Sequence, residues 1–384
     1  MTLPALLALL ALQACSAAQS NVATRRELPP SAAAAGAVAL DGSHYVYYVA
    51  PGAEAHKFVI YQKGGGWCSS DAECAQRATT ALGSSNASFY PAVVDYAQFS
   101  ESSNFALLQA NATLNPMAWN WTRILLPYLD GGSQTGNLDT PVVVPLGGGG
   151  SRTIYYRGKR IHDATVAALL AREGLGSATD VLYGGGSAGA LAVFLHADEW
   201  AAQLPRGARF AAVADSGYFL SYNASAGAGY AADMRWIAQR MNASLPAACL
   251  AANAADPASC IFAETASRTL ASPLFAQQST YDTFQIQDIL RRPLSDAAAI
   301  NAYGATLEAR LNASLIALHP EAAVFLDSCA HHVAEWDEIV IDGTRVHQAL
   351  QDFYGSIGKG GRRVWAQGQT YPCPHCCTGG QVAA

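Results

Sequence analysis

Charged side chains are scarce in this chain, at 14% of 384 residues, where a typical soluble protein carries about 25%. Basic residues are the rarer sign, 23 against 29 acidic, for a formal net charge of -6. Without a basic stripe or a long single-sign block, the chain has no electrostatic footprint for gripping phosphate backbones, and nucleic acid is not an expected partner. No apolar run beyond residue 12 is long enough to cross a bilayer, so no membrane span is expected. Internal repeats and Pro/Ser-rich boundaries are absent as well, and the Ala-rich stretches read as helix formers. What the chain does have is 51% hydrophobic residues, enough for a large core and too many for a disordered chain.

The apolar run Leu3 to Leu12 is followed by the small, polar stretch Cys15-Ser-Ala-Ala-Gln-Ser20. That is the anatomy of a secretory signal peptide over 1–18, leaving 19–384 as the mature chain. Leu12-Gln13-Ala14-Cys15 loosely resembles a bacterial lipoprotein box, with Cys15 as lipid anchor. Six Asn-x-Ser/Thr sequons (Asn86, Asn111, Asn120, Asn223, Asn242 and Asn312) favour a eukaryotic, glycosylating export route instead. Eight of the nine cysteines lie past the signal, an even set suited to full pairing in an oxidising compartment. Cys68 with Cys74 and Cys249 with Cys260 are the expected local pairs. Cys373-Pro-His-Cys-Cys377 lacks a second ligand pair at zinc spacing and reads as oxidised thiols, so no metal is expected there. The expected location is secreted, extracellular or in a cell wall, and a monomer is expected.

Strand-like runs alternate with helix-length segments, the signature of an α/β protein with a mainly parallel sheet flanked by helices. Gly36-Ala-Val-Ala-Leu40 and Tyr45-Val-Tyr-Tyr-Val49, joined by Asp41-Gly42, read as an edge hairpin. Further strands are expected at Phe58 to Tyr61, Ile124 to Leu126, Thr153 to Tyr156, Val181 to Tyr183, Phe210 to Val213, Leu274 to Ala276 and Ala323 to Leu326. Helices are expected over 159–172, 188–203, 229–241, 297–317 and 344–354. One domain is expected, with a disulfide-containing insertion around 222–270.

The chemistry begins where the run Val181-Leu-Tyr183 meets Gly185-Gly-Ser187-Ala-Gly189 and then a helical pattern. A serine on a tight strand-to-helix turn needs small residues two before and two after it, and this spacing reads as a nucleophile elbow. The turn also aims the amide of Ala188 at the hydroxyl, as an oxyanion donor. A base and an orienting acid must follow in the order Ser, Asp/Glu, His. Leu274 to Tyr281 ends in Asp282, favoured by strand position over Asp215, which is expected to brace a loop. Val324-Phe-Leu326 leads to the adjacent His331 and His332, of which at most one serves as base; adjacent side chains diverge, and the pair is not a metal site. Gly64-Gly-Gly-Trp67, directly after a strand, suits a second oxyanion loop, and lacks the Lys-Ser/Thr ending of a phosphate loop.

Gly64-Gly-Gly-Trp-Cys68, Asn115-Pro-Met-Ala-Trp-Asn-Trp121, Asp130-Gly-Gly-Ser133, Gly186-Ser-Ala-Gly189, Leu195-His-Ala-Asp-Glu199, Asp215-Ser-Gly-Tyr-Phe219, Tyr281-Asp-Thr-Phe-Gln-Ile286 and Ser328-Cys-Ala-His-His332 follow one another along the chain. In sequence and order they resemble the motifs of the pectin acetylesterase/Notum family, from about Ala39 to Cys377. The resemblance implies an α/β-hydrolase-like serine carboxylesterase with no metal or organic cofactor. It places the nucleophile on Ser187, the acid on Asp282, the base on His332 rather than His331, and the oxyanion amides on Gly66, Trp67 and Ala188. It also implies an acylated polysaccharide or an acylated secreted protein as substrate, with O-acetyl esters of pectin-like polysaccharide the broader branch. An inert binding protein on the same fold is the alternative of a different class; Ser187, Asp282 and His332 are all present. Departures are Lys63 where an acidic residue is common, Ala190 for a glycine and Val333 for a cysteine.

The sequons generate a first test. Protein secreted by a eukaryotic host is expected to lose mass on glycosidase digestion and to begin near residue 19. An unchanged mass, or an acylated Cys15, overturns the export reading.

Overall fold

The computed structural model describes residues 20–99, 106–224, 229–333 and 336–377. The expected signal peptide therefore lies outside the described residues. Fourteen strands follow in chain order: β1 (Val22–Glu27), β2 (Val46–Ala50), β3 (Glu54–Gln62), β4 (Val93–Asp95), β5 (Trp121–Leu126), β6 (Val142–Pro145), β7 (Ser151–Ile154), β8 (Asp180–Gly186), β9 (Arg209–Asp215), β10 (Leu274–Ser279), β11 (Ala322–Asp327), β12 (Val340–Ile341), β13 (Thr344–Arg345) and β14 (Val364–Ala366). Ten of them form one sheet in the order β14-β11-β10-β9-β8-β3-β5-β2-β1-β4. From β14 to β5 neighbours run parallel, and from β5 to β4 they run antiparallel. The central runs are apolar throughout because both faces are covered. Val181, Leu182 and Tyr183 of β8 are fully buried, as are Phe58, Val59 and Ile60 of β3. The helices Gly158–Arg172, Ala188–Gln203, Tyr230–Arg240, Ala297–Leu311 and Val346–Ser356 lie where the sequence pattern puts them. The fourth ends sooner than expected, widening into a π-helical turn over Asn312–Ile316.

Two expectations need correction. The segment Gly36 to Leu40 is no strand: it makes a single bridge, Val38 to His44. Its backbone groups are taken elsewhere, with Leu40 N–H bonded to Leu129 O and Tyr155 N–H to Leu40 O. β2 instead lies antiparallel between β5 and β1, and the sequence of β1, Val-Ala-Thr-Arg-Arg-Glu, carries no apolar alternation to reveal it. The strand expected at Thr153 to Tyr156 forms as β7 but ends at Ile154, and among the described residues it pairs with β6 alone, in a two-stranded ribbon turned by Gly147 to Gly150 outside the main sheet.

The order of strands places the site. From β3 the next strand within the parallel set, β5, lies to one side, whereas β8 and its successors β9, β10, β11 and β14 lie to the other. A crevice opens at such a switch point, beyond the carboxyl ends of the strands. The loop after β3 and the turn after β8 border it. β11 sits three strands from β8, roughly 14 Å at 4.8 Å per strand, so any residue after β11 reaches the crevice only if its loop folds back over β10 and β9.

Four disulfides join Cys68 to Cys74, Cys249 to Cys260, Cys329 to Cys377 and Cys373 to Cys376. The third ties the loop after β11 to the end of the described chain. The same loop is pinned by charge. His331 Nε2 donates to Asp327 Oδ1 at 3.0 Å and His331 Nδ1 donates to Val333 O at 3.1 Å, which requires both ring protons. Burial alone would lower the His331 pKa, but the Asp327 carboxylate outweighs it and raises the ring to about 9. Asp327 is itself buried, and accepts from Cys329 N–H and Gln277 Nε2.

This ion pair predicts a pH-dependent stability. The folded-state pKa of His331 lies above the 6.5 of a free imidazole, so its contribution is complete below about pH 6.5 and is lost as pH rises through about 9. His331→Gln is therefore expected to lower the melting temperature more at about pH 6 than at about pH 9.5. An equal loss at both, measured by thermal denaturation, contradicts the pairing.

Candidate active site

Ser187 is the single residue between β8 and the helix Ala188–Gln203, with φ 56 and ψ -127. A positive φ in a residue bearing a Cβ is strained, and the surroundings hold it there. Its N–H donates to Asp215 O at 2.9 Å, and its carbonyl accepts from Leu191 N–H. Glycine is required on both sides because the backbone doubles back upon itself. A Cβ on Gly185 would lie 2.5 Å from Gly189 O, and one on Gly189 would lie 2.2 Å from Gln62 O. The G-x-S-x-G spacing thus records two backbone collisions avoided, one within the turn and one against the end of β3.

The fold brings Ser187, His332 and Asp282 together. Ser187 Oγ lies 2.9 Å from His332 Nε2, and His332 Nδ1 lies 2.9 Å from Asp282 Oδ2. The hydroxyl can donate to Nε2 while Nδ1–H donates to the carboxylate, the only tautomer that serves both bonds. Asp282 is 1% exposed. It also accepts from Gln285 N–H at 3.0 Å and Gln278 Nε2 at 3.3 Å, so its lone pairs are engaged and its orientation is fixed. For His332, burial disfavours the cation, but the charge and hydrogen bond of Asp282, helped by Asp215, prevail and raise the pKa above 6.5; His331 opposes them. A ring so placed has the geometry to take a proton from the hydroxyl and to hold it beside a fixed negative charge.

His331 and Asp215 lie outside this chain of bonds. His331 faces Asp327, as described above. Asp215 accepts from Trp336 Nε1 at 2.8 Å and from Ser216 Oγ at 3.1 Å, and Ser216 Oγ in turn accepts from Val333 N–H at 2.9 Å. The end of β9 therefore holds the returning loop on which His332 sits.

On the other side of Ser187 runs the loop Gly64 to Cys68. Gly64 packs so close that a Cβ there would lie 2.8 Å from Ser187 Cβ, and Gly66 has φ 64. Among the described residues none accepts a hydrogen bond from the amides of Gly66, Trp67 or Ala188. These three amides are free to donate, and the loop that carries the first two packs against Ser187 through Gly64. Trp67 also heads a group of touching rings, with Phe219 at 5.1 Å, Tyr230 at 5.5 Å and Phe284 at 6.1 Å, and Phe284 lies 5.3 Å from the His332 ring. Sequence reasoning did not single out Phe219, Tyr230 or Phe284, because their convergence joins the loop after β9, the start of the helix Tyr230–Arg240 and the helical turn after β10. It also missed the buried polar residue Ser133, visible only as part of the unexplained Asp130-Gly-Gly-Ser133 string.

Three groupings of potential metal ligands lie close together among the described residues. In Cys373, His375 and Cys376 the sulfurs are joined to each other. In Asp327, Cys329 and His331 the sulfur is bonded to Cys377 and both ring nitrogens of the histidine carry protons. The third, His162, His196 and Glu199, was not foreseen from sequence. It already holds a cation, since Lys159 Nζ lies 3.7 Å from Glu199 and 2.5 Å from Asp163.

The comparisons agree on a family. A family model described as Pectinacetylesterase matches residues 17–378. Pectin acetylesterase 11 of Arabidopsis thaliana is 31% identical over 355 residues, 84% of this chain and 85% of the relative. The palmitoleoyl-protein carboxylesterase NOTUM of Schmidtea mediterranea is 22% identical over 329 residues, 81% of this chain and 59% of the relative. In solved structures the same fold occurs in the Wnt deacylase Notum from Drosophila, with a TM-score of 0.76 at 23% identity, covering 92% of this chain and 99% of that one. By sequence and by fold, this chain belongs to the pectin acetylesterase family, and is a carboxylesterase-type hydrolase with an α/β fold.

Proposed function

We propose that the chain is a secreted serine carboxylesterase that removes O-acetyl groups from pectin-like polysaccharide by way of an acyl-enzyme. The observation that carries the chemistry is the unbroken chain of hydrogen bonds from Ser187 through His332 to Asp282. In this reading Ser187 Oγ attacks the ester carbonyl while His332 takes its proton. The resulting oxyanion is held by the amides of Gly66, Trp67 and Ala188, and His332 returns the proton to the departing sugar oxygen. Water then repeats the sequence on the acyl-enzyme, and Asp282 keeps the imidazole oriented and offsets its transient charge.

Support for a short acyl group comes from the rings beside the site. A long chain entering there would have to part the contacts of Trp67 with Phe219, Tyr230 and Phe284. The curated relatives at 30% and 31% identity are pectin acetylesterases, whereas the carboxylesterase that acts on a palmitoleoyl protein stands at 22%. Export is supported by the exposure of five sequon asparagines, Asn86, Asn111, Asn223, Asn242 and Asn312, with Asn120 half-buried. No helix among the described residues is long and apolar enough to cross a membrane.

Hydrolysis of a short-chain against a long-chain aryl ester tests this reading. The acetate is expected to be cleaved and the palmitate hardly at all; preference for palmitate moves the substrate to the long-acyl branch, and no cleavage of either leaves an inert fold. Ser187→Ala is expected to abolish turnover with the melting temperature intact, and Asp282→Asn to lower it by about four orders of magnitude. Because the His332 pKa is raised and the base must be neutral, kcat/KM should climb with pH through a midpoint above 6.5.

A further inference from the structure

Three amides aimed at an oxyanion are useful only if they are held before the reaction begins, since donors that must reorganise lose most of their effect. The loop after β3 is rich in glycine and so has little stiffness of its own. Yet it is clasped at two points by residues that do not reach Ser187.

The first is Arg77, the last residue of the helix Asp71–Arg77, which the Cys68–Cys74 disulfide ties to the same loop. Arg77 Nη2 donates to Gly65 O at 2.8 Å and, more weakly, to Gly66 O at 3.5 Å, and Nε donates to Leu82 O at 3.0 Å. In a trans peptide the C=O and the following N–H point in opposite directions. Drawing the carbonyls of Gly65 and Gly66 towards Arg77 therefore turns the amides of Gly66 and Trp67 away from it. The second is Ser133, which is fully buried and has φ 52. Its hydroxyl accepts from Trp67 Nε1 at 2.8 Å and donates to Ala188 O at 2.8 Å. One oxygen thus spans the two halves of the pocket, the loop after β3 and the helix after β8. The two points are themselves joined, because the Arg77 guanidinium lies 5.1 Å from the Tyr128 ring centre and Tyr128 OH accepts from Ser133 N–H at 2.9 Å.

We infer that Ser133 and Arg77 are positioning residues of the oxyanion pocket: Ser133 sets the separation of Trp67 and Ala188, and Arg77 sets the direction of the Gly66 and Trp67 amides. The inference rests on the serine-esterase reading above. Neither side chain touches substrate. Their effect is on the tetrahedral state, so substrate affinity should barely change.

The test uses Ser133→Ala, Arg77→Met and Arg77→Lys in the full chain, with active sites counted by a fluorophosphonate that labels Ser187. Aryl acetate turnover is measured per labelled site, together with inhibition by an aryl boronic acid. The boron takes Ser187 Oγ to form a tetrahedral anion whose oxygen occupies the pocket. Ser133→Ala and Arg77→Met are expected to lower kcat per labelled site by about 10- to 100-fold, as misplacement by an ångström does elsewhere. KM should stay within about threefold, and the boronate Ki should rise by the same factor as kcat falls. Arg77→Lys keeps one donor for Gly65 O and is expected to recover part of the loss. Wild-type kcat per labelled site in both truncations overturns the inference, as does a fall in kcat with an unchanged boronate Ki, which is what a purely structural role produces. If Ser133→Ala does not fold, the Arg77 pair carries the same comparison. A wild-type chain that neither takes the label nor cleaves the ester overturns the esterase reading and this one together; labelling with unaltered variants overturns this one alone.

Discussion

The site depends on one close approach of backbone to backbone. The first turn of the helix Ala188–Gln203 passes the end of β3 so tightly that a single methyl group on Gly189 would lie 2.2 Å from Gln62 O. From that contact the rest follows. It forces the chain to double back at Ser187 in a left-handed conformation, which lifts the hydroxyl clear of the strand. It also sets the loop after β3 against the start of the helix, so that Gly64 packs directly on Ser187. A larger residue at position 189 would separate β3 from the helix, and with it the loop after β3 from Ser187.

The second constraint is distance along the sheet. Asp282 follows β10 and His332 follows β11, two and three strands from β8, so the histidine loop must span a gap that no regular element fills. Its course is fixed by short-range bonds of different kinds. The His331–Asp327 ion pair closes the loop at its root, Ser216 receives Val333 N–H midway, Trp336 reaches Asp215, and the Cys329–Cys377 disulfide ties it to the last of the described residues. The adjacent histidines thus divide their work. One is a buried cation that shapes the loop, and the other keeps its Nε2 open towards Ser187.

The fold is shared with a Notum structure at 23% identity, and what distinguishes members of such a set lies in loops bordering the same crevice. In this chain the rings of Trp67 and Phe219, from two loops, and of Tyr230 and Phe284, from two helix starts, close upon one another beside His332. Trp67 belongs to both systems. Its indole is part of the aromatic wall and is bonded to Ser133, while its backbone belongs to the loop that packs against Ser187 through Gly64. The aromatic wall and the loop after β3 are therefore mechanically coupled through one residue.

Features written in short stretches of chain were legible in the amino-acid sequence. The strand-turn-helix at Ser187, the alternation that gives the parallel sheet, and the disulfides Cys68–Cys74 and Cys249–Cys260, separated by 6 and 11 residues, are all local, since periodicity and steric demands act within a few residues. The residues alone left His331 and His332 open, and only the family resemblance preferred one. Tertiary structure decided which ring faces Ser187, because side-chain direction after β11 depends on where the loop is anchored over β9 and β10. It likewise decided that β1 and not Gly36 to Leu40 pairs with β2, that Cys329 meets Cys377 across 48 residues, and that Ser133 joins Trp67 to Ala188. Those are contacts between segments whose spacing carries no periodic signal, and only the packed sheet brings them within hydrogen-bond reach.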